Sequence, residues 1–125
     1  MDQPLNILAV DDESSVGHAI CFVLGSESRK MTIALDGAEA LHKVATDWPP
    51  FDVIITDNNM PRVCGLELVR KLRADNFPGK IVVLSAFLTE ENRRAYTELK
   101  VDRLLAKPFD VGELRAAIDS LQRAA

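Results

Sequence analysis

The sequence predicts an α/β fold: a five-stranded parallel sheet, doubly wound as (βα)5, with helices on both faces. Three observations predict it. Five short apolar runs rich in branched residues recur along the chain, LNILAV (5–10), MTIAL (31–35), FDVIIT (51–56), KIVVLS (80–85) and VDRLLA (101–106), each with the length and composition of a strand. The segments between and after them are long enough for helices, and apolar residues recur at helical spacing in Val16, Ile20, Val23, Leu24 and in Val111, Leu114, Ile118, Leu121. ILAV, VII and IVVL are apolar without interruption, as strands buried on both faces are. Strict alternation of strand and helix implies parallel strands joined by right-handed crossovers.

Each element has its own punctuation. The first run stops at Asp11, Asp12 and Glu13, and the Val16 to Leu24 pattern supplies the helix that follows. The second stops at Leu35; Asp36 then caps GAEAL, with Glu39 three residues on, the spacing of a capping box. WPP at 48–50 breaks the chain before the third run, which ends in Asp57, Asn58 and Asn59. Met60 and Pro61 close that loop, and Gly65 eases entry to the next helix. The fourth run closes on Ser85, and Thr89 caps EENRR with Asn92, not an acid, at the box position. Lys107 and Pro108 follow the fifth run, and Asp110 with Glu113 forms a second box.

At 125 residues the chain is read as one domain over 1–125, with residues 122–125 resembling the start of a linker. The 47% hydrophobic and 27% charged composition is that of a globular protein that needs neither disulfides nor a structural metal. Cys21 and Cys64 match no metal-ligand spacing and fit free thiols in a reducing compartment. The start MDQPLN lacks a signal pattern, and no apolar run could span a bilayer, so a cytoplasmic location is expected and no membrane partner. A net charge of −4 gives no electrostatic grip on nucleic acid, and no direct nucleic-acid binding is expected. His18 and His42 fall within helices and are assigned no role.

The chemistry is expected at the carboxyl ends of the strands, where ligands of open parallel sheets bind. There the sequence places Asp11 and Asp12 after the first strand, Asp57 after the third, Ser85 closing the fourth and Lys107 after the fifth. Carboxylates crowded at one edge raise the pKa of a member or recruit a hard divalent cation, and an all-oxygen set favours magnesium, with manganese as a substitute. A carboxylate beside such a cation can attack phosphorus and form an acyl phosphate, and Asp57 is the candidate. Lys107 would neutralise charge on the transferring group and Ser85 would donate to a phosphoryl oxygen.

These residues, ILAVDDE, VIITDNNMPRVCGLEL, VVLSA and LLAKPF taken in order, resemble the receiver domains of two-component response regulators, and the resemblance runs over essentially the whole chain. It implies a flavodoxin-like sheet of strand order 2-1-3-4-5. It also implies that Asp57 accepts a phosphoryl group from a phosphohistidine on a sensor histidine kinase or a histidine phosphotransfer protein. Magnesium would be bound by Asp11, Asp12, Asp57 and the backbone carbonyl of Asn59; Ser85 and Lys107 would turn to the phosphoryl group; the Lys107–Pro108 bond would be cis. The chain would act as a regulatory phosphoacceptor that catalyses its own phosphorylation and dephosphorylation. It would signal to an effector domain or downstream protein, or by a phosphorylation-dependent dimer.

Two residues depart from the family pattern. The family carries Tyr or Phe three residues before the lysine, where Leu104 stands here. A leucine switch with Ser85 is therefore expected to shift the surface of the fourth helix, fifth strand and fifth helix without a ring flip. Phe87, two residues after Ser85, is placed to screen the phosphoryl group from water. The charged run TEENRRAYTELK reads as a solvated helix face, with Tyr96 and Leu99 as an apolar anchor for a partner.

Three other readings fit less well. A haloacid dehalogenase-type phosphohydrolase needs a second aspartate two residues after the nucleophile, and Asn59 stands there. A flavin or nucleotide carrier needs a glycine-rich phosphate loop, which is absent from the sequence. A receiver-like protein-binding module without phosphorylation keeps the fold but not the modification at Asp57.

Overall fold

The computed structural model of the chain describes residues 4–58, 60, 63–86, 88–107 and 110–124, the side chains of 122–124 excepted. Strand and helix alternate as expected: β1 (Leu5–Val10), α1 (Ser14–Leu24), β2 (Arg29–Ala34), α2 (Gly37–Thr46), β3 (Val53–Asp57), α3 (Gly65–Ala74), β4 (Lys80–Ser85), α4 (Glu90–Glu98), β5 (Arg103–Ala106) and α5 (Val111–Ala124). All strands pair in parallel, in the order β2-β1-β3-β4-β5. The chain leaves β1 toward one side for β2 and crosses back to the other for β3. The ends of β1 and β3 therefore border the crevice where the direction of winding reverses.

The uninterrupted apolar runs are explained by two cores, one on each face of the sheet. Leu8, Val10, Ile54, Ile81 and Val83 pack with Leu68, Leu72 and Tyr96 on one face. Their neighbours along the strands, Ile7, Ala9, Val53, Ile55, Val82 and Leu84, pack with Ile20, Leu24, Leu114 and Ile118 on the other. Because successive side chains point to opposite faces, a central strand covered on both must be apolar at every position.

Three strand starts differ from those expected, each for a local reason. The edge strand β2 begins at Arg29, two residues before its apolar run, in register with Leu5, and Arg29 forms an ion pair with Asp119 of α5. Edge position tolerates polar residues that hydrophobic pattern cannot flag. β3 starts at Val53 rather than Phe51, and β5 at Arg103 rather than Val101, because an aspartate side chain stands at each entrance. Asp52 Oδ2 accepts the Asn6 N–H at 2.8 Å and Asp102 Oδ2 accepts the Ile81 N–H at 2.8 Å, so each carboxylate completes a neighbouring strand. At its far end β3 runs one residue further than expected: Asp57 is itself within the ladder, opposite Leu84.

The caps behave as their chemistry requires. Asp36 Oδ1 accepts the Glu39 N–H at 2.8 Å, while Glu39 reaches back to the Leu35 N–H at 2.6 Å, one residue before the cap. Asp110 accepts the Glu113 N–H at 2.7 Å, with a long return contact of 3.5 Å. Thr89 accepts from Asn92 at 3.0 Å without a partner in return. One expectation is overturned. Tyr96 is fully buried and Leu99 is half-buried against the same core, so neither is an exposed anchor. The ring fills the space between α4 and the sheet because the rest of α4 is too polar to enter the core. Among the described residues no helix is long and apolar enough to cross a membrane.

Removing the Asp102 carboxylate leaves the N–H of fully buried Ile81 without its acceptor. Asp102→Ala is expected to lower unfolding free energy by about 1–3 kcal/mol, with a smaller loss for Asp102→Asn, read by urea denaturation.

Candidate functional site

Val10 pairs with Thr56, so the next residues along the two strands, Asp11 and Asp57, emerge side by side at the carboxyl edge of the sheet. One oxygen each from Asp11, Asp12 and Asp57 lies within 4.8 Å of the others. Asp11 is 2% exposed and Asp57 8%, whereas Asp12 faces solvent. β4 and β5 bring in the remaining candidates. Leu84 pairs with Asp57 and accepts the Asn58 N–H at 3.0 Å; the following residue, Ser85, is buried, and its carbonyl accepts the Lys107 N–H at 2.8 Å. From that position Lys107 Nζ donates to Asp57 Oδ1 at 3.1 Å and stands 3.6 Å from Asp11 Oδ2.

One ammonium faces three carboxylates, and the imbalance is felt most by Asp11. Burial pushes its carboxyl pKa above the ordinary range; the Glu13 N–H and Lys107 pull it back, and Asp57 and Asp12 push it up again. Its Oδ1 accepts the Glu13 N–H at 2.9 Å, but Oδ2 is buried with no hydrogen-bond partner. Burial alone would lower the Lys107 ammonium, but the hydrogen bond and charge of Asp57, followed by Asp11, outweigh it and leave its pKa raised. An orphaned carboxylate oxygen beside two further carboxylates is a donor set suited to a hard divalent cation.

The carboxyl end of β3 is held from beneath by α3. A Cβ on Gly65 would lie 2.5 Å from the Asp57 carbonyl oxygen and 2.8 Å from Asn58 Cα, so only glycine permits this approach. The Gly65 N–H donates to the Asn58 carbonyl at 3.0 Å. Beside Gly65, the Tyr96 hydroxyl donates to Asn58 Oδ1. Sequence reasoning missed this pair: its signal was a single tyrosine at an otherwise polar helical stretch, which reads equally well as surface.

Leu104 pairs with Val83 and packs half-buried against the core that contains Tyr96. Cys21 and Cys64 are both free, and burial pushes the Cys21 thiol pKa up. The Asn59 carbonyl, the Phe87 screen, Pro61 and the Lys107–Pro108 bond lie outside the described residues.

Comparison with known proteins decides the family. The family model for the response regulator receiver domain matches residues 7–119. The chain belongs to the response regulator receiver domain family. This receiver domain is 39% identical over 119 residues to the response regulator MprA of Mycobacterium leprae and 35% identical over 119 residues to the response regulator RppA of Synechocystis, covering 95% of this chain and 51% of each relative. It thus spans about half the length of these curated relatives. Among solved structures it resembles the chemotaxis protein CheY4 of Vibrio cholerae, at TM-score 0.85 and 29% identity over 94% of this chain and 98% of that one. It also resembles the response regulator TrrA of Thermotoga maritima, solved in complex with Mg2+-BeF, at TM-score 0.80 and 29% identity over 93% of this chain and 97% of that one.

Because burial and two like neighbours raise the Asp11 carboxyl pKa on folding, Asp11→Asn is expected to raise metal-free stability by about 0.5–2 kcal/mol. The sign follows from linkage: a carboxyl whose pKa is raised on folding stabilises the fold only when protonated, and the contribution is lost as pH rises through the folded value. The gain from Asp11→Asn is therefore largest near neutrality and shrinks toward the ordinary value of 3.8, as melts across a pH series would show. Gly65→Ala forces a backbone clash at the strand end and is expected to cost about 1–3 kcal/mol in the same measurement.

Proposed function

We propose that this receiver domain accepts a phosphoryl group from a phosphohistidine onto Asp57 and relays the modification as a change of surface. The reading is carried by one observation: the Asp57 carboxylate closes a rigid strand within hydrogen-bond distance of Lys107 and beside a buried Asp11 oxygen that has no hydrogen-bond partner. Asp11, Asp12 and Asp57, with the carbonyl of Asn59, are the residues that would hold magnesium or manganese. When bound, the cation supplies the positive charge that lets phosphoryl oxygens approach the carboxylates. The Mg2+-BeF complex of TrrA supports that choice of ion.

The chain's own residues carry the remaining steps. An Asp57 oxygen attacks phosphorus, the P–N bond to the donor imidazole breaks, and the imidazole leaves with that electron pair. Asp57 becomes a mixed anhydride. Lys107, already hydrogen-bonded to Asp57, remains paired with the new phosphoryl oxygens, and the Ser85 hydroxyl donates to another. The Lys107 contact exists before transfer, so its charge is already at hand when the phosphoryl group arrives. In dephosphorylation water attacks phosphorus, the P–O bond to Asp57 breaks with its electron pair returning to the carboxylate, and inorganic phosphate departs. The donor is a sensor histidine kinase or a histidine phosphotransfer protein, and the outcome is read by an effector domain, a downstream protein or a second copy of the chain. The response regulators among its relatives support this setting.

Incubation with acetyl phosphate and magnesium, followed by intact-mass measurement, tests the chemistry. The native chain is expected to gain a phosphoryl group, and Asp57→Asn, or the native chain with EDTA, to gain none. Lys107→Ala is expected to slow the gain by about 100-fold. A native chain that stays unmodified would reduce the domain to a protein-binding module, and sustained turnover of phosphate esters would mark a phosphohydrolase instead.

A further inference from the structure

We infer that Tyr96 is the positioning residue through which the state of Asp57 reaches α4, by way of its hydroxyl bond to the Asn58 side chain; this rests on the acceptor role proposed for Asp57. The geometry that points to it begins with α4 itself. Of the helix Glu90–Glu98, Tyr96 is the one buried residue, and it is fully buried. The rest of α4 is polar and largely exposed, so the helix is tied to the sheet face chiefly by this ring, flanked by the half-buried Leu88 and Leu99.

The ring's polar end is spent on the residue after the acceptor. Asn58 is buried and fixed by three bonds that reach three elements: its N–H to the Leu84 carbonyl of β4 at 3.0 Å, its carbonyl to the Gly65 N–H of α3 at 3.0 Å, and its Oδ1 to the Tyr96 hydroxyl. A shift of the Asp57 main chain therefore cannot leave Asn58 unmoved. Of its three bonds the one to Tyr96 joins a side chain to a side chain, so it is the softest of them. Tyr96 and Asn58 are both buried, so a partner lost by the hydroxyl is not readily replaced by water and the bond is either made or broken.

The usual aromatic position on β5 holds Leu104, which packs against the same core and has no group to bond with. The aromatic hydroxyl of this core is carried by α4 instead. In the unmodified domain the Tyr96–Asn58 bond holds α4 down. Loading Asp57 draws Lys107 and Ser85 toward the phosphoryl group, moves Asn58 and releases the bond, and α4 loosens. A single bond made in one state only shifts the balance of the two by roughly two- to tenfold.

Tyr96 is the single tyrosine of the chain, so 3-fluorotyrosine gives one resonance that reports this hydroxyl. Acetyl phosphate with magnesium is expected to move that resonance and to raise amide hydrogen exchange across α4, with β3 amides as the reference for global unfolding. Tyr96→Phe, which keeps the ring, is expected to take the phosphoryl adduct normally but to show raised α4 exchange from the start and little further change on modification. Asn58→Ala should reproduce that α4 behaviour, and the double variant should be no worse than either, which independent structural losses would not give. An adduct on the native chain with an unmoved tyrosine resonance, or a Tyr96→Phe response equal to native, overturns this inference alone. No adduct on native Asp57 overturns the acceptor reading and this inference together.

Discussion

The arrangement of this domain turns on a carboxylate kept where water cannot reach it. Asp11 stands at the end of a central strand with one oxygen lacking a hydrogen-bond partner, pressed by burial and by two neighbouring aspartates, and relieved only in part by the Lys107 ion pair. A fold that tolerates such a group stores unfavourable electrostatic energy at one edge and needs a stiff frame to hold it. The frame is the pair of apolar cores, which fix β1 and β3 on both faces so that the two acids cannot move apart. The surrounding sheet is therefore what makes a cation attractive there.

The same stiffness explains why the neighbourhood of Asp57 is so densely bonded. Its main chain is inside the ladder, its successor is held by β4 and α3, and Gly65 lets a helix start almost in contact with it. For the phosphoacceptor role proposed for Asp57, immobility sets the attack geometry in advance. What remains free to respond lies at the periphery. α4 carries a single buried side chain, and the half-buried Leu104 stands on the edge strand next to it. The bonded end of β3 and the largely polar α4 are thus joined through few buried side chains.

Much of this was legible in the chain. Alternating apolar runs and helical spacings gave the elements because burial on two faces leaves no room for polar residues in a central strand. Asp36, Thr89 and Asp110 announced their helices, since an N-terminal turn needs an oxygen to receive its free N–H groups. The acids, serine and lysine of the site stood out because each interrupts or follows an apolar run at a point where nothing in packing requires it. Strand limits were less legible where a side chain substitutes for the main chain, as with Asp52 and Asp102, or where an edge admits charge, as with Arg29.

Residue order along the chain determined which side chains sit at strand ends, because that depends only on local periodicity and on where it stops. Only the tertiary structure decided what those ends do to one another. Separation in sequence says nothing of distance, and the charge on Asp11, the reach of Lys107 and the approach of Gly65 depend on ångströms set by packing. Tyr96 shows the difference most sharply. Its neighbours in sequence are polar and suggest a surface, while its neighbours in space are a core and the amide beside Asp57.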